Sequence, residues 1–501
     1  MYDLLANLWL GFGVAATATN VMLCLIGVLV GTLIGVLPGI GSLATIAMLL
    51  PITFALEPVT SLIMLAGIYY GAQYGGSTTA ILINLPGESS SAVTAIDGYQ
   101  MAKQGRAGPA LATAAIGSFF AGTVATFVLV LFAPPLARIA LKFGPAEYAS
   151  LMVLGLVCSV ALAHGAMLKA LGMVVLGLLL GLVGTDIYTG TPRFTLGQLE
   201  LSDGLNFVAV AVGVFGIAEI LRNLEHQAER HVLVKRIHGL LPTRDDLRRI
   251  VGPILRGTIL GSVLGILPGS GALLASFGSY TVEKKLSKEP QRFGRGAIEG
   301  VAGPEAANNA GAQTSFIPML TLGIPANPVM ALMVGAMIIQ GIVPGPQVAT
   351  EQPTLFWGLI ASMWVGNLLL IVLNLPLVGV WVRLLTIPYH LLFPAILAFS
   401  CIGLFSINGN AFDLFAAAFF GLIGYVLVKL ECEPAPLLLG FILGPLLEEN
   451  LRRAMIISRG NALTFVERPI SAGILVLAVA VLVVVFLPSV SRRREEIFVE
   501  D

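Results

Sequence analysis

Apolar runs of helix length follow one another along the chain, divided by short polar or glycine- and proline-rich stretches. In the first half they lie at about 20–56, 60–82, 110–132, 148–163, 165–183 and 206–221. In the second half they lie at about 253–280, 316–343, 355–377, 391–407, 412–429, 436–447 and 470–487. A helix crossing a bilayer needs about 20 predominantly apolar residues. The longer runs therefore predict membrane-crossing helices, and the shorter ones predict re-entrant pieces. The expectation is an all-α polytopic membrane protein with about twelve membrane-embedded segments.

One stretch breaks this pattern twice. Gly31 to Leu43 places Pro38, Gly39 and Gly41 where a helix should continue, and Gly261 to Leu273 repeats it with Pro268, Gly269 and Gly271. Proline removes a backbone donor and glycine tolerates positive φ, so a helix must stop or unwind there. Further pairs follow: Gly71-Ala72-Gln73 with Gly311-Ala312-Gln313, Leu85-Pro86 with Ile324-Pro325 after one residue of slippage, and Gly108-Pro109 with Gly345-Pro346. Pro38, Pro86, Pro268 and Pro325 are thus the expected helix breaks. Matching breaks in two halves point to the substrate site of a transporter.

Charge then gives direction. No Lys or Arg precedes Lys103, whereas eight lie between Arg222 and Arg256. The positive-inside rule puts that basic segment in the cytoplasm and the amino end outside. The first broken pair has base-free flanks and the second basic ones, which predicts two repeats of inverted topology, with a parallel repeat as the competing arrangement. The expected division is a first transmembrane repeat at 1–222, a basic cytoplasmic connector at 223–250, a second repeat at 251–450, and a terminal transmembrane helix with a cytoplasmic tail at 451–501. The amino end lacks a positive n-region, so its first apolar run is expected to be retained. Arg452, Arg453, Arg459 and Arg468 precede the last helix and weaken its orientation; they read as functional rather than topological.

Composition narrows the classes. The 501 residues are 56 % hydrophobic and 11 % charged, with a mean hydropathy of +0.91, against about 25 % charged residues in a soluble domain. The 57 glycines predict close helix packing. Lys+Arg and Asp+Glu both number 28, so no charge excess favours nucleic acid. No phosphate loop is present, and neither Cys24, Cys158, Cys401 and Cys432 nor the five histidines have metal-ligand spacing. No metal, catalytic residue or organic cofactor is expected. Asp186, Asp413 and Lys169, near the ends of apolar runs, read as snorkelling charges.

Polar residues cluster after each break. Gln73, Ser77, Thr78 and Thr79 are followed by Asn84, Gly87, Glu88, Ser89 and Ser90; the counterparts are Glu305, Asn308, Asn309, Gln313 and Thr314, then Asn327. Small residues bare backbone N–H groups, helix N-termini attract anions, and hydroxyls and amides complete a carboxylate's hydrogen bonds. The candidate substrate-binding residues are therefore Gln73, Ser77, Thr78, Thr79, Asn84, Gly87, Ser89, Ser90, Asn308, Asn309, Gln313, Thr314 and Asn327. Unwound backbone at Gly39, Gly41, Ser42, Gly269, Ser270 and Gly271 is the candidate site for a coupling cation, sodium or proton. A passive channel and an intramembrane serine enzyme at Ser77 are the competing classes; the second lacks an evident base to activate the hydroxyl.

Several ordered motifs resemble the large membrane subunit of tripartite tricarboxylate transporters (TctA-like). They are Val36–Gly41, Tyr70–Ala80, Gly98–Gly105, Gly294–Asn309, Thr321–Pro325 and Gly444–Arg453, spread over nearly the whole chain. The resemblance implies a multi-pass protein of the bacterial inner membrane, importing citrate or another di- or tricarboxylate with a coupled cation. It also implies two partners, a small membrane subunit and a periplasmic solute-binding protein.

Overall fold

The computed structural model describes residues 2–37, 41–163, 166–186, 188–225, 239–267, 271–384 and 389–486. Pro38, Gly39, Pro268, Gly269 and Ser270 lie outside the described residues, as do His164 and the three connector histidines. The chain is built of helices, and the one sheet among the described residues is a two-residue antiparallel pair, Gly184–Thr185 with Pro192–Arg193. Five described helices are long and apolar enough to cross a bilayer: Ala18–Val36, Ala107–Ala140, Phe207–Glu225, Pro353–Asn374 and Ala411–Lys429. Seven shorter apolar helices of 10–17 residues accompany them. Large apolar side chains such as Phe127, Phe132, Phe415 and Val479 face outward, while Gln73, Ser77, Glu305 and Asn308 are buried. That inversion of the soluble pattern suits a hydrocarbon surround, where polar groups must find partners inside the protein.

The helices do stop at the repeated stretch. Ala18–Val36 ends with Leu37 in extended geometry (φ −93°, ψ 101°), and a new helix, Gly41–Thr53, follows. Arg244–Leu264 ends at Gly265, and Gly271–Leu286 begins. This second broken helix starts earlier than the apolar pattern suggests. Thr243 and Asp246 form a capping box there, so residues 244–250, read from sequence as connector, are its first two turns. The apolar run at 316–343 divides around Pro325, one of the expected breaks, into Phe316–Leu322 and Pro328–Ile339. Gly323 adopts φ 72° between them, as Asn84 adopts φ 58° after the helix Pro58–Ile83. The run at 436–447 instead lengthens to Ala435–Ile457. Its polar end is held by the i, i+4 pairs Glu448–Arg452 and Glu449–Arg453.

Glycine determines how close the central helices come. A Cβ at Gly27, Gly31 or Gly35 would collide with the backbone of Met64, Ile68 or Ala72 on Pro58–Ile83. The same pattern recurs with Gly257, Gly261 and Gly265 against Gly303, Ala307 and Gly311 on Glu299–Thr314. The first set is displaced by 230 positions and the second by 239, and the displacement of 239 also carries Asn84 onto Gly323 and Leu85-Pro86 onto Ile324-Pro325. The one-residue slippage inferred from sequence therefore disappears: by contact, Ala72 rather than Gly71 corresponds to Gly311. Contacts also cross between the halves. Gly41–Thr53 packs on Pro328–Ile339, and Gly271–Leu286 packs on the turn Ser89–Ser91.

Charges near segment ends are paired rather than snorkelling. Asp186 is buried and receives Arg452 Nη2 at 2.8 Å, with Arg193 at 3.5 Å. The hydrogen bond from Arg452 holds its carboxyl down at about 2. Arg468 pairs with buried Glu147 at 2.5 Å. Asp413 is buried too, accepting from Asn206 and Asn408. Lys169 reaches Leu430 O and Glu431. These basic residues tie helix ends to carboxylates on other parts of the chain.

Gly31→Ala and Gly261→Ala should each lower the melting temperature in detergent, by the cost of a forced backbone shift, about 1–3 kcal/mol. Gly13→Ala, whose Cβ meets nothing within 4 Å, serves as the control and should not. Equal melting of all three would remove the close-approach argument.

Candidate functional site

The helix Pro58–Ile83 is buried along almost its whole length. Tyr69, Gln73 and Ser77 recur at a spacing of four on it, so they form one polar stripe. The stripe meets groups from both halves. Asn327 Nδ2 donates to Tyr69 Oη at 3.2 Å, and Ser315 also lies at that hydroxyl. Ser90 Oγ donates to Gln73 Oε1 at 3.1 Å. Ser77 Oγ donates to Glu305 Oε2 at 2.7 Å.

Glu305 is the chemical centre of this seam. It sits in Glu299–Thr314, a helix rich in alanine and glycine that is buried on all sides, and its own exposure is 0 %. Three hydroxyls face its carboxylate: Ser77, Thr94 and Ser118, the last at 3.5 Å. Asn309 Nδ2 completes the cluster, donating to Ser118 Oγ at 2.7 Å and to Glu305 O at 3.1 Å. No basic side chain faces the carboxylate among the described residues. An isolated charge there would cost many kcal/mol, which makes Glu305 a candidate functional position.

The helix bearing Glu305 is anchored by Ala92–Lys103. Thr94 of that helix bonds Glu305, and one turn later buried Asp97 takes three backbone donors, Gly294 N, Gly296 N and Ala297 N, at 2.8–2.9 Å on Oδ1. Gly294 (φ 80°) and Gly296 (φ 101°) adopt left-handed geometry, which lets these N–H groups converge. Tyr280 Oη donates to Asp97 Oδ2 at 2.9 Å. The first half thus positions the entry to the second half's polar helix.

A second carboxylate lies at the helix break. Glu88 Oε1 accepts from Ser42 N at 2.5 Å, at the start of Gly41–Thr53. The end of this half-helix therefore binds a carboxylate of the chain itself, as a helix N-terminus favours.

The remaining candidates divide. Asn308 is 0 % exposed, and both its amide atoms lack a partner; Gln313 Oε1 lacks one too. Thr78 lines a small cavity beside Glu305. Asn327 caps the helix Pro328–Ile339 through Met330 N at 2.9 Å. Thr79 and Thr314 bond backbone carbonyls of their own helices, at Gly76 O and Ala310 O. Gly87 approaches Gly76, and Asn84 and Ser89 are exposed on the hairpin rather than on the seam. Of the cation candidates, Ser42 meets Glu88, Gly41 has φ 54°, and Gly271 packs on Leu264. Thr94, Ser118, Tyr69, Asn367 and Asn374 escaped sequence reasoning, because a single polar residue in an apolar run has the same signature whether it packs or binds.

A profile described as the tripartite tricarboxylate transporter TctA family matches residues 21–439, which include both polar helices and both breaks. The chain belongs to that family. Over all 501 residues it is 67 % identical to the uncharacterized 52.8 kDa protein in the TAR-I ttuC' 3' region of Agrobacterium vitis, covering the whole of both chains. A second Agrobacterium vitis protein, uncharacterized in the TAR-II ttuC' 3' region, is 66 % identical over 241 residues, 48 % of this chain and all of its own. No solved structure matches. Membership makes the chain a multi-pass membrane subunit of a tripartite transport system, and motifs such as Tyr70–Ala80 and Gly294–Asn309 become the walls of the seam.

Asn327→Ala removes a helix cap and the bond to Tyr69, and should cost about 1 kcal/mol of stability. Asn327→Ser keeps the cap acceptor and should recover most of that loss in thermal melts. Identical melting of the two would separate Asn327 from capping.

Proposed function

We propose that this chain is the large transmembrane subunit of a binding-protein-dependent secondary transporter, importing citrate or another small di- or tricarboxylate. A sodium or proton gradient drives uptake by alternating access. In this reading about twelve membrane-embedded segments form two inverted repeats in the bacterial inner membrane. The small membrane subunit and the periplasmic solute-binding protein are its partners, and it catalyses no covalent chemistry.

The observation that carries the reading is the seam itself. Unpartnered amide atoms of Asn308 and Gln313 are buried on Glu299–Thr314, a member of one of two helix pairs that share one set of glycine contacts. A buried polar atom without a partner costs about 1–3 kcal/mol, and a ligand that bonds it recovers that cost. Glu88 on Ser42 N supports the choice of substrate class, because the broken helix already receives a carboxylate. A substrate acid would take such a position by displacing Glu88. The cavity at Glu305 is about 10 Å³, far below the size of a tricarboxylate, which accords with a conformation closed to substrate.

Proteoliposomes carrying the chain with both partners test the proposal through uptake of labelled citrate and related acids under imposed sodium or proton gradients. Uptake should require all three proteins and one gradient. Asn308→Leu should reduce it by about tenfold or more, the loss of one hydrogen bond to a charged group. Flux that proceeds without partners and ignores every gradient would establish a channel instead.

A further inference from the structure

The cavity beside Glu305 has oxygen on part of its wall and Leu111, Ala114 and Ala115 on the rest. Besides Glu305 it is lined by Ser77, Thr78, Ser118, Tyr74 and Asn374 among its polar residues. Asn374, at the end of Pro353–Asn374, is 6 % exposed. Its Nδ2 donates to Leu370 O at 3.0 Å, which directs Oδ1 away from that carbonyl, and Oδ1 has no partner. A buried acceptor left alone costs free energy and calls for a donor or a cation. The volume of about 10 Å³ is that of about one water-sized body.

Charge then selects among possible occupants. The cage has one carboxylate and no facing base among the described residues. Oxygen ligands of this kind suit hard cations. A single positive charge brings the site to neutrality, whereas a divalent ion would leave an uncompensated charge inside the membrane. A proton on Glu305 would neutralise it as well, but it needs no cavity and leaves Asn374 Oδ1 alone.

We propose that this cage is a sodium site, with the Glu305 carboxylate as the charged ligand and Asn374 Oδ1 and the hydroxyls of Ser77 and Ser118 as neutral ones. Ser77 and Ser118 come from the first half, Glu305 and Asn374 from the second, so a bound ion ties the two together. The hydroxyl hydrogens that now point at Glu305 rotate away, and the oxygens turn their lone pairs to the ion. As a coupling site, the cage rests on the transport reading; as an ion site, it stands by itself. It moves the coupling cation from the helix breaks at Gly41, Ser42 and Gly271 to the seam between the halves.

The test uses the full-length chain in detergent, without substrate or partners, and follows melting while sodium chloride replaces potassium chloride at constant ionic strength. Sodium should raise the melting temperature saturably over potassium. Glu305→Gln and Asn374→Leu should each shift the half-saturating sodium concentration upward by about tenfold or more. Ser118→Ala, a smaller change in the same wall, keeps the test open if either variant elutes aggregated, and should shift it in the same direction. Equal action of sodium and potassium on the natural chain overturns the site. So does an unchanged sodium response in the folded variants. Sodium binding without gradient-driven carboxylate uptake would instead overturn the transport reading and leave this site standing.

Discussion

A chain surrounded by hydrocarbon has no water to receive its polar groups, and every buried donor, acceptor or charge must be met by the protein or by what it carries. That constraint organises this molecule. The N-terminal end of Gly41–Thr53 is met by Glu88, and the loop entering the Glu305 helix is met by Asp97. Glu305 is met by three hydroxyls. Where the matching stops, the unmet atoms include those of Asn308 and Gln313 on Glu299–Thr314 and Oδ1 of Asn374 at the cavity beside Glu305.

Close approach makes this matching possible. Helices in lipid gain little from burying apolar side chains against one another, so backbone-to-backbone packing over small residues supplies the attraction. Gly31 against Ile68 and Gly261 against Ala307 are the clearest cases. With these pairs tightly joined, Pro58–Ile83 and Glu299–Thr314 become firm walls, and their polar stripes meet at fixed distances. The crossed contacts of each half-helix with the other half bind the two pairs into one unit. The same seam that holds the halves together is therefore the place where a solute or an ion could change how they sit.

Much of this was legible in the residues. Apolar runs and the doubled Leu-Pro-Gly stretch indicated a polytopic helical protein with interrupted helices, because proline and glycine act locally, within one turn of backbone. Gln73, Ser77, Asn308, Asn309 and Gln313 stood out as amides and hydroxyls crowded beside breaks. Other features were hidden by equally local logic. Asp186 looked like a snorkelling end until it was found buried with Arg452 beside it. Residues 244–250 looked like connector because their charge outweighed a capping box that only the helix itself makes plain.

Taken alone, the sequence determined that the chain is helical and membrane-embedded, where its helices break, and which polar residues lie near the breaks, since each follows from hydropathy and backbone chemistry over a few residues. The tertiary structure decided the partners: Glu305 with Ser77, Thr94 and Ser118, Glu88 with Ser42, Asp97 with Gly294 to Ala297. Those contacts join residues tens to hundreds of positions apart. Which hydroxyl meets which carboxylate depends on how close and in what register two helices pack, and no local pattern records that register.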